Sequence, residues 1–116
     1  MPILIVDDYN TMIRILRNLL RQLGFSNIDE ASDGRTALTK LRSKDYALVI
    51  SDWNLAPMSG LELLNSARAE ERTKATPFVM LTNETDDEAD RAASCIVKPF
   101  NALTLKAKLV SVLGAF

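Results

Sequence analysis

The length, composition and charge of the chain exclude several classes of protein. Its 116 residues correspond to one domain at roughly 150 residues per domain, and the apolar fraction of 47% is ordinary for a globular protein. With no histidine and one cysteine, the chain cannot carry a Ser-His-Asp triad, a histidine metal site or an internal disulfide. The formal net charge of −1 argues against a nucleic-acid partner.

The sequence also predicts a protein that works away from membranes. No apolar run approaches the ~20 residues of a membrane-spanning helix, and the N-terminus lacks the basic start and long apolar stretch of a signal peptide. We therefore expect a cytoplasmic protein with no membrane partner, built as a single domain over residues 1–116. Any metal that it binds would be a hard ion with oxygen ligands.

Short apolar runs predict the strands of a buried sheet. The first run lies at residues 3–6, and similar runs occupy 47–50 and 78–81. Each is too short for a helix, and runs that are apolar on both faces are typical of a parallel sheet covered on both sides. Residues 27–31 and 95–97 are weaker strand candidates.

Amphipathic segments between these runs predict helices. The apolar face of the first helix is formed by Met12, Leu16, Leu19, Leu20 and Leu23. Further helices are predicted over residues 36–41 and 60–68, the latter with Leu61, Leu64 and Ala67 on its inner face, and Asn101 can cap a last helix. The regular alternation of strands and helices predicts right-handed βαβ units, and hence an α/β fold with a doubly wound parallel sheet.

Chemically informative residues follow four of the predicted strands. In a parallel α/β sheet, ligands bind outside the carboxyl ends of the strands. The residues at these ends are Asp7 and Asp8, Asp52, Thr82 and Lys98. We therefore expect three carboxylates, a hydroxyl and an ammonium group to meet at one rim.

Such a rim favours phosphoryl chemistry assisted by a divalent cation. Two like charges 4 Å apart repel by about 4 kcal/mol at an effective dielectric constant near 20, so the three carboxylates need a cation, and oxygen ligands suit Mg²⁺ or Mn²⁺. A free aspartate beside that ion can form an aspartyl-phosphate. Thr82 and Lys98 can then bind oxygens of the phosphoryl group.

Each of these residues alone has an ordinary structural explanation. Asp7 and Asp8 could cap the helix that begins near Asn10, and Asp52 could start a turn with Asn54 and Gly60. Thr82 could be a strand-end threonine and Lys98 a solvated lysine. The pattern as a whole favours a functional site, because four strands place a suitable group at the same end.

Five short motifs together resemble those of response-regulator receiver domains. They are Ile5-Val6-Asp7-Asp8, Ser51-Asp52-Trp53-Asn54, Met58-Ser59-Gly60, Leu81-Thr82 and Val97-Lys98-Pro99-Phe100. The resemblance covers nearly the whole chain. Further segments, including Leu23-Gly24-Phe25, resemble the single-domain chemotaxis regulators in particular.

The resemblance implies a fold, a site and partners. The fold is the five-stranded (βα)5 flavodoxin-like receiver. Asp52 matches the phosphoacceptor, Asp7 and Asp8 match the acidic pair that holds Mg²⁺ together with Asp52, and Asn54 matches the residue whose backbone carbonyl completes the metal site. Thr82 and Lys98 match the pair that binds the phosphoryl group and transmits its presence.

The partners implied by the resemblance are a phosphodonor and a target. The donor is a histidine kinase or a small acyl phosphate. The downstream target is a protein such as a flagellar motor switch protein or a phosphatase. The peptide bond between Lys98 and Pro99 is expected to be cis, as it is in the family.

Two departures from the family bear on signal output. Cys95 stands where the family usually has an aromatic residue that reports phosphorylation. Thr82 and Lys98 are only sixteen positions apart, which is fewer than in the family. We therefore predict that the fourth helix of the family is shortened, disordered or absent here.

Two other functions stay open on the sequence alone. The chain could be a receiver-fold docking module or phosphate sink that is not phosphorylated, or a small Mg²⁺-dependent phosphatase. We expect a signalling receiver that catalyses its own phosphorylation and dephosphorylation, rather than an enzyme acting on external substrates.

Overall fold

Five parallel strands form one sheet at the centre of the fold. The computed structural model describes residues 1–83 and 93–114. The strands are β1 (Ile3–Val6), β2 (Ile28–Ala31), β3 (Leu48–Asp52), β4 (Phe78–Thr82) and β5 (Ser94–Val97). Their spatial order is β2-β1-β3-β4-β5, and every neighbouring pair is parallel. The predicted doubly wound parallel sheet is therefore confirmed.

Four helices lie in the described part of the chain. They are α1 (Asn10–Gln22), α2 (Gly34–Ser43), α3 (Gly60–Arg68) and α4 (Ala102–Leu113). The side chains of Asp33, Ser59 and Asn101 each accept a hydrogen bond from a backbone N–H of the first turn and so cap α2, α3 and α4. The predicted role of Asn101 as a helix cap is confirmed.

The two faces of the sheet bury separate apolar clusters. Alternate residues of a strand point to opposite faces, so Leu4 and Val6 pack against α2 and α3, while Ile3 and Ile5 pack against α1 and α4. Every residue of β1, β3 and β4 is buried. This double burial explains why these strands appear in the sequence as continuous apolar runs.

Two helix faces differ from the prediction by one or two positions. Ile13 is buried in α1, whereas Met12 is only partly buried. In α3 Leu64 and Ala67 are buried as predicted, but Leu63 is fully inaccessible as well, and the predicted Leu61 is only partly buried. Both segments are rich in apolar residues on neighbouring positions, so the sequence pattern alone leaves the rotation of each helix uncertain by that amount.

Two further predictions concern the region after β4. The peptide bond between Lys98 and Pro99 is cis, as expected, and the bond between Ala56 and Pro57 is cis as well. The prediction of a shortened, disordered or absent fourth helix falls on residues 84–92, which lie outside the described residues.

Where the chain is described, none of its helices combines the length and the apolar character needed to cross a membrane.

Two leucines of α4 offer a matched test of the packing. Leu105 is fully buried and Leu103 is 77% exposed. We expect Leu105→Ala to lower the free energy of unfolding by about 2–5 kcal/mol because it leaves a cavity, and Leu103→Ala to change it by about 0.5 kcal/mol or less. Urea denaturation followed by circular dichroism measures both, and equal losses would contradict the assigned orientation of α4.

Candidate functional site

The strand register brings the carboxyl ends of the strands level with one another. Val6 of β1 lies opposite Ser51 of β3, so Asp7 and Asp52 follow at the same height. Thr82 of β4 lies opposite Val97 of β5, and Lys98 follows directly. The structure therefore places all the predicted site residues at the same edge of the sheet.

Three carboxylates form the centre of this edge. One carboxylate oxygen from each of Asp7, Asp8 and Asp52 lies within 4.8 Å of the others. Asp7 is 1% exposed and Asp52 is 7% exposed, whereas Asp8 is open to solvent. The cluster thus has a buried side formed by two carboxylates and an open side from which a ligand can enter.

Asp7 is held by one oxygen only. Its Oδ1 accepts a hydrogen bond from the backbone N–H of Tyr9 at 2.9 Å. Its Oδ2 is buried and has no hydrogen-bond partner among residues 1–83 and 93–114. Burial raises the pKa of the Asp7 carboxyl above its ordinary value; the Tyr9 N–H opposes this effect and the charge of Asp52 adds to it.

The first turn of α1 does not use the aspartates as caps. The N-cap residue is Tyr9, and no side chain caps the helix there. The alternative explanation of Asp7 and Asp8 as capping residues is therefore wrong. The Tyr9 N–H instead fixes the orientation of the Asp7 carboxylate.

Asp52 is oriented by two nitrogen atoms. The Lys98 ammonium Nζ lies 3.4 Å from Asp52 Oδ1, and the backbone N–H of Asn54 donates to the same oxygen at 3.2 Å. The turn that the sequence offered as an alternative role for Asp52 is therefore present, and it coexists with the acidic cluster. The carbonyl of Asn54 as a metal ligand stays a prediction.

Thr82 and Lys98 are joined through their backbones. The N–H of Lys98 donates to the carbonyl oxygen of Thr82 at 2.7 Å, and the Thr82 side chain is buried at 3% exposure. The two residues therefore occupy neighbouring, fixed positions at the ends of β4 and β5, on the same edge as the carboxylates.

Gly60 and Ser51 contact the backbone carbonyl of Asp52, a role that the sequence pattern did not predict. A Cβ atom built on Gly60 would lie 2.6 Å from the carbonyl oxygen of Asp52, so any side chain there would displace the backbone of Asp52. The Ser51 hydroxyl, fully buried, donates to the same carbonyl oxygen at 3.0 Å. The glycine after Met58-Ser59 was the only signal in the sequence for this contact.

Cys95 lies on the edge strand β5. It is half-buried and packs against the cluster shared with α2 and α3, opposite Met80 of β4. Its sulfur atom lies 3.5 Å from the carbonyl oxygen of Ala93. A small side chain therefore occupies the position where the resemblance places an aromatic residue.

The donor set fits a hard divalent cation. The three side chains of the cluster offer carboxylate oxygens, and the buried Oδ2 of Asp7 accepts no hydrogen bond from any described residue. Carboxylate oxygens are the ligands that Mg²⁺ and Mn²⁺ use in proteins. A cation at this position would remove the repulsion among the three carboxylates.

The uncompensated burial of Asp7 predicts a measurable effect on stability. Because the pKa of Asp7 is raised in the folded state, its ionised form destabilises the metal-free protein at neutral pH. We expect Asp7→Asn to raise the free energy of unfolding by about 1–3 kcal/mol in EDTA at pH 7, as measured by urea denaturation. The gain should shrink as pH falls through the folded-state pKa and vanish below the ordinary value of 3.8.

The exposed Asp8 provides the control for this measurement. Asp8→Asn removes the same charge from the cluster without removing a buried charge, so its gain should be smaller. An Asp7→Asn protein no more stable than the wild type would contradict the cost assigned to the Asp7 charge.

Comparison with known sequences places the chain in one family. The family model described as the response regulator receiver domain matches residues 3–110. The chemotaxis protein CheY-3 of Vibrio cholerae is 50% identical, and the match covers 94% of this chain and 88% of that protein. The chemotaxis protein CheY of Pseudomonas aeruginosa is 48% identical, and the match covers 94% of this chain and 93% of that protein.

Comparison with solved structures finds the same fold in receiver proteins. CheY4 of Vibrio cholerae superposes with a TM-score of 0.89 at 34% identity, over 97% of this chain and 98% of that one. The receiver domain of the sensor histidine kinase PA1611 of Pseudomonas aeruginosa, solved with a magnesium ion coordinated in its active-site cleft, gives a TM-score of 0.87 at 24% identity over 98% of each chain.

These relatives agree with the fold and with the resemblance of the motifs. They favour neither the docking module nor the phosphatase that the sequence left open. The chain belongs to the family of response regulator receiver domains and is homologous to the CheY chemotaxis response regulators of two-component phosphorelays.

Proposed function

We propose that Asp52 is the phosphoacceptor of this receiver domain and that phosphorylation there requires Mg²⁺. The observation that carries the proposal is the group of three carboxylates within 4.8 Å of one another, beside the Lys98 ammonium at 3.4 Å from Asp52 Oδ1. A carboxylate nucleophile, a cation site and a fixed ammonium group are the parts that transfer of a phosphoryl group to aspartate needs.

Asp7, Asp8, Asp52 and the backbone carbonyl of Asn54 would hold the metal ion. Bound there, Mg²⁺ would offset the negative charge that an incoming phosphoryl group brings to the carboxylates. The relative from Pseudomonas aeruginosa that was solved with magnesium in its cleft supports this choice of ion. Mn²⁺ has the same preference for oxygen ligands and is proposed as a substitute.

The proposed reaction is an in-line displacement by the Asp52 carboxylate. One Asp52 oxygen forms a bond to phosphorus while the bond from phosphorus to the nitrogen of the donor histidine breaks, and the electron pair of that bond stays with the donor. The Asn54 N–H and the Lys98 ammonium hold Oδ1 of Asp52 and so orient the carboxylate for attack.

Thr82 and Lys98 would bind the transferred group. The Thr82 hydroxyl donates to one phosphoryl oxygen, and the Lys98 ammonium pairs with another. Because these contacts exist only in the phosphorylated state, they shift the population between two conformations of the domain. Attack of water on the same phosphorus returns Asp52 to its free form, so the domain also catalyses its own slow dephosphorylation.

CheY-like receivers pair with histidine kinases and downstream targets. We propose that the donor here is the phosphohistidine of a chemotaxis kinase, with small acyl phosphates as alternative donors, and that the reaction takes place in the cytoplasm. The proposed targets are a flagellar motor switch protein or a phosphatase, in keeping with the chemotaxis relatives.

Replacement of the acceptor tests the proposal directly. We expect Asp52→Asn to abolish labelling by a ³²P-phosphorylated histidine kinase, because the amide cannot form the acyl phosphate. The matched control is Glu62→Gln, which makes the same chemical change at an exposed position of α3 and should be labelled like the wild type. Labelling of the wild type should also stop in EDTA. Persistent labelling of Asp52→Asn would refute the assignment.

Lys98 tests the proposed transmission of the signal. We expect Lys98→Ala to retain detectable labelling, since the acceptor and the cation ligands remain, but to lose the NMR shift changes in β5 and α4 that phosphorylation causes. Lys106→Ala, at an exposed position of α4, should show both. A Lys98→Ala protein with the full set of shift changes would contradict the proposed role.

A further inference from the structure

The loop between β3 and α3 carries Asn54 past the carboxylate of Asp52. This loop comprises residues 53–59. Its residue Asn54 is exposed, and the N–H of Asn54 donates to Asp52 Oδ1 at 3.2 Å. The position of Asn54 therefore depends on what holds the rest of the loop.

The two ends of the loop are held together. The N–H of Trp53 donates to the carbonyl oxygen of Leu81 at 2.9 Å, and the N–H of Gly60 donates to the carbonyl oxygen of Trp53 at 3.1 Å. A Cβ built on Gly60 would lie 3.0 Å from Trp53 Cα. The loop thus starts and finishes at one point beside Asp52, and the packing of its side chains contributes to the path that it takes between those ends.

Two side chains of the loop pack inward. Leu55 is 7% exposed and belongs to the cluster buried between the sheet, α2 and α3. Met58 packs against the same cluster and rests on Gly34, the first residue of α2. A Cβ built on Gly34 would lie 2.9 Å from Cβ, Cγ and Sδ of Met58, so the contact exists only because residue 34 has no side chain.

The first turn of α2, against which Met58 packs, is capped, and its Gly34 is buried. The Asp33 side chain accepts from the N–H of Thr36 at 2.7 Å and caps the helix, and Ala37 and Leu41 anchor the helix in the core. Moving Gly34 would disturb the cap and the core together. Displacement at this contact therefore falls on the loop rather than on the helix.

We propose that Met58, seated on Gly34, is a positioning residue that fixes Asn54 against Asp52 and so sets the affinity of the site for Mg²⁺. The proposal rests on the Mg²⁺ site of the proposed function. It extends the determinants of that site to the start of α2, a helix that supplies none of the proposed ligands.

The test uses two readouts on the full chain. Mg²⁺ affinity is measured through the fluorescence of Trp53, the only tryptophan of the chain and the residue next to Asp52. The conformation of the loop in EDTA is measured through the NMR shift and hydrogen exchange of the Asn54 amide. Urea denaturation reports whether each variant is folded.

Four variants separate positioning from general packing. Gly34→Ala inserts a methyl group into the contact, and Met58→Ala removes the part of Met58 beyond Cβ. We expect both to weaken Mg²⁺ binding about tenfold and to shift the Asn54 amide in EDTA. Met58→Leu keeps the volume of the side chain and should retain both properties. Arg35→Ala, an exposed change on the same helical turn, should behave like the wild type.

Each outcome decides a different question. Wild-type Mg²⁺ affinity and an unshifted Asn54 amide in folded Gly34→Ala and Met58→Ala would overturn the inference and leave the proposed function intact. A wild-type protein that binds no Mg²⁺ would overturn the proposed function, and with it the link from Met58 to the metal. A tenfold loss in Met58→Leu equal to that of Met58→Ala would also count against the inference.

Discussion

Mutual repulsion of carboxylates at the end of the sheet is the constraint on which the rest of the structure depends. Asp7 and Asp52 are nearly inaccessible to water, and each has Asp8 within reach. Water would screen such charges at the surface, but a buried position does not allow it. The cluster therefore favours a bound cation, and the folded chain must tolerate the repulsion when no cation is bound.

The rest of the fold supplies the stability that offsets the repulsion among the carboxylates. Three central strands are buried on both faces, and the two apolar clusters cover the sheet on either side. Lys98 reduces the negative charge beside Asp52, while the second oxygen of Asp7 is left uncompensated among the described residues. The arrangement lowers local stability at the residues proposed to bind the cation and the phosphoryl group, which is the common relation between active sites and stability.

Much of the fold and of the site could be predicted from the sequence, because both depend on order along the chain. The apolar runs of β1, β3 and β4 follow from burial on two faces, and parallel strands necessarily place the residues that follow them at one edge. The identity of Asp7, Asp52 and Lys98 as neighbours could therefore be predicted before any coordinates. The rotation of α1, with Ile13 rather than Met12 inward, could not, since both residues are apolar and adjacent.

Contacts between distant backbone segments were beyond the sequence. The sequence predicts Gly60 as part of a turn. Its contact with the carbonyl of Asp52 could be predicted only if the path of the loop were already known. The contact between Met58 and Gly34 joins two residues that are far apart in the chain. Neither their charges nor their spacing indicates that they meet. Both contacts depend on how the surfaces of the packed elements fit together, and the order of residues along the chain does not reveal that fit.

The division of the core into two clusters has a consequence for how such a domain can diversify. The loop beside Asp52 packs with α2 and α3 on one face of the sheet, whereas the helix after Asp7 and the helix after Lys98 pack on the other. Repacking one layer can therefore retune one half of the rim while the other half keeps its geometry. In the proposed function, an exchange of interior aliphatic residues in one layer would then change phosphorylation or dephosphorylation of Asp52 while the acidic residues and Lys98 stay the same.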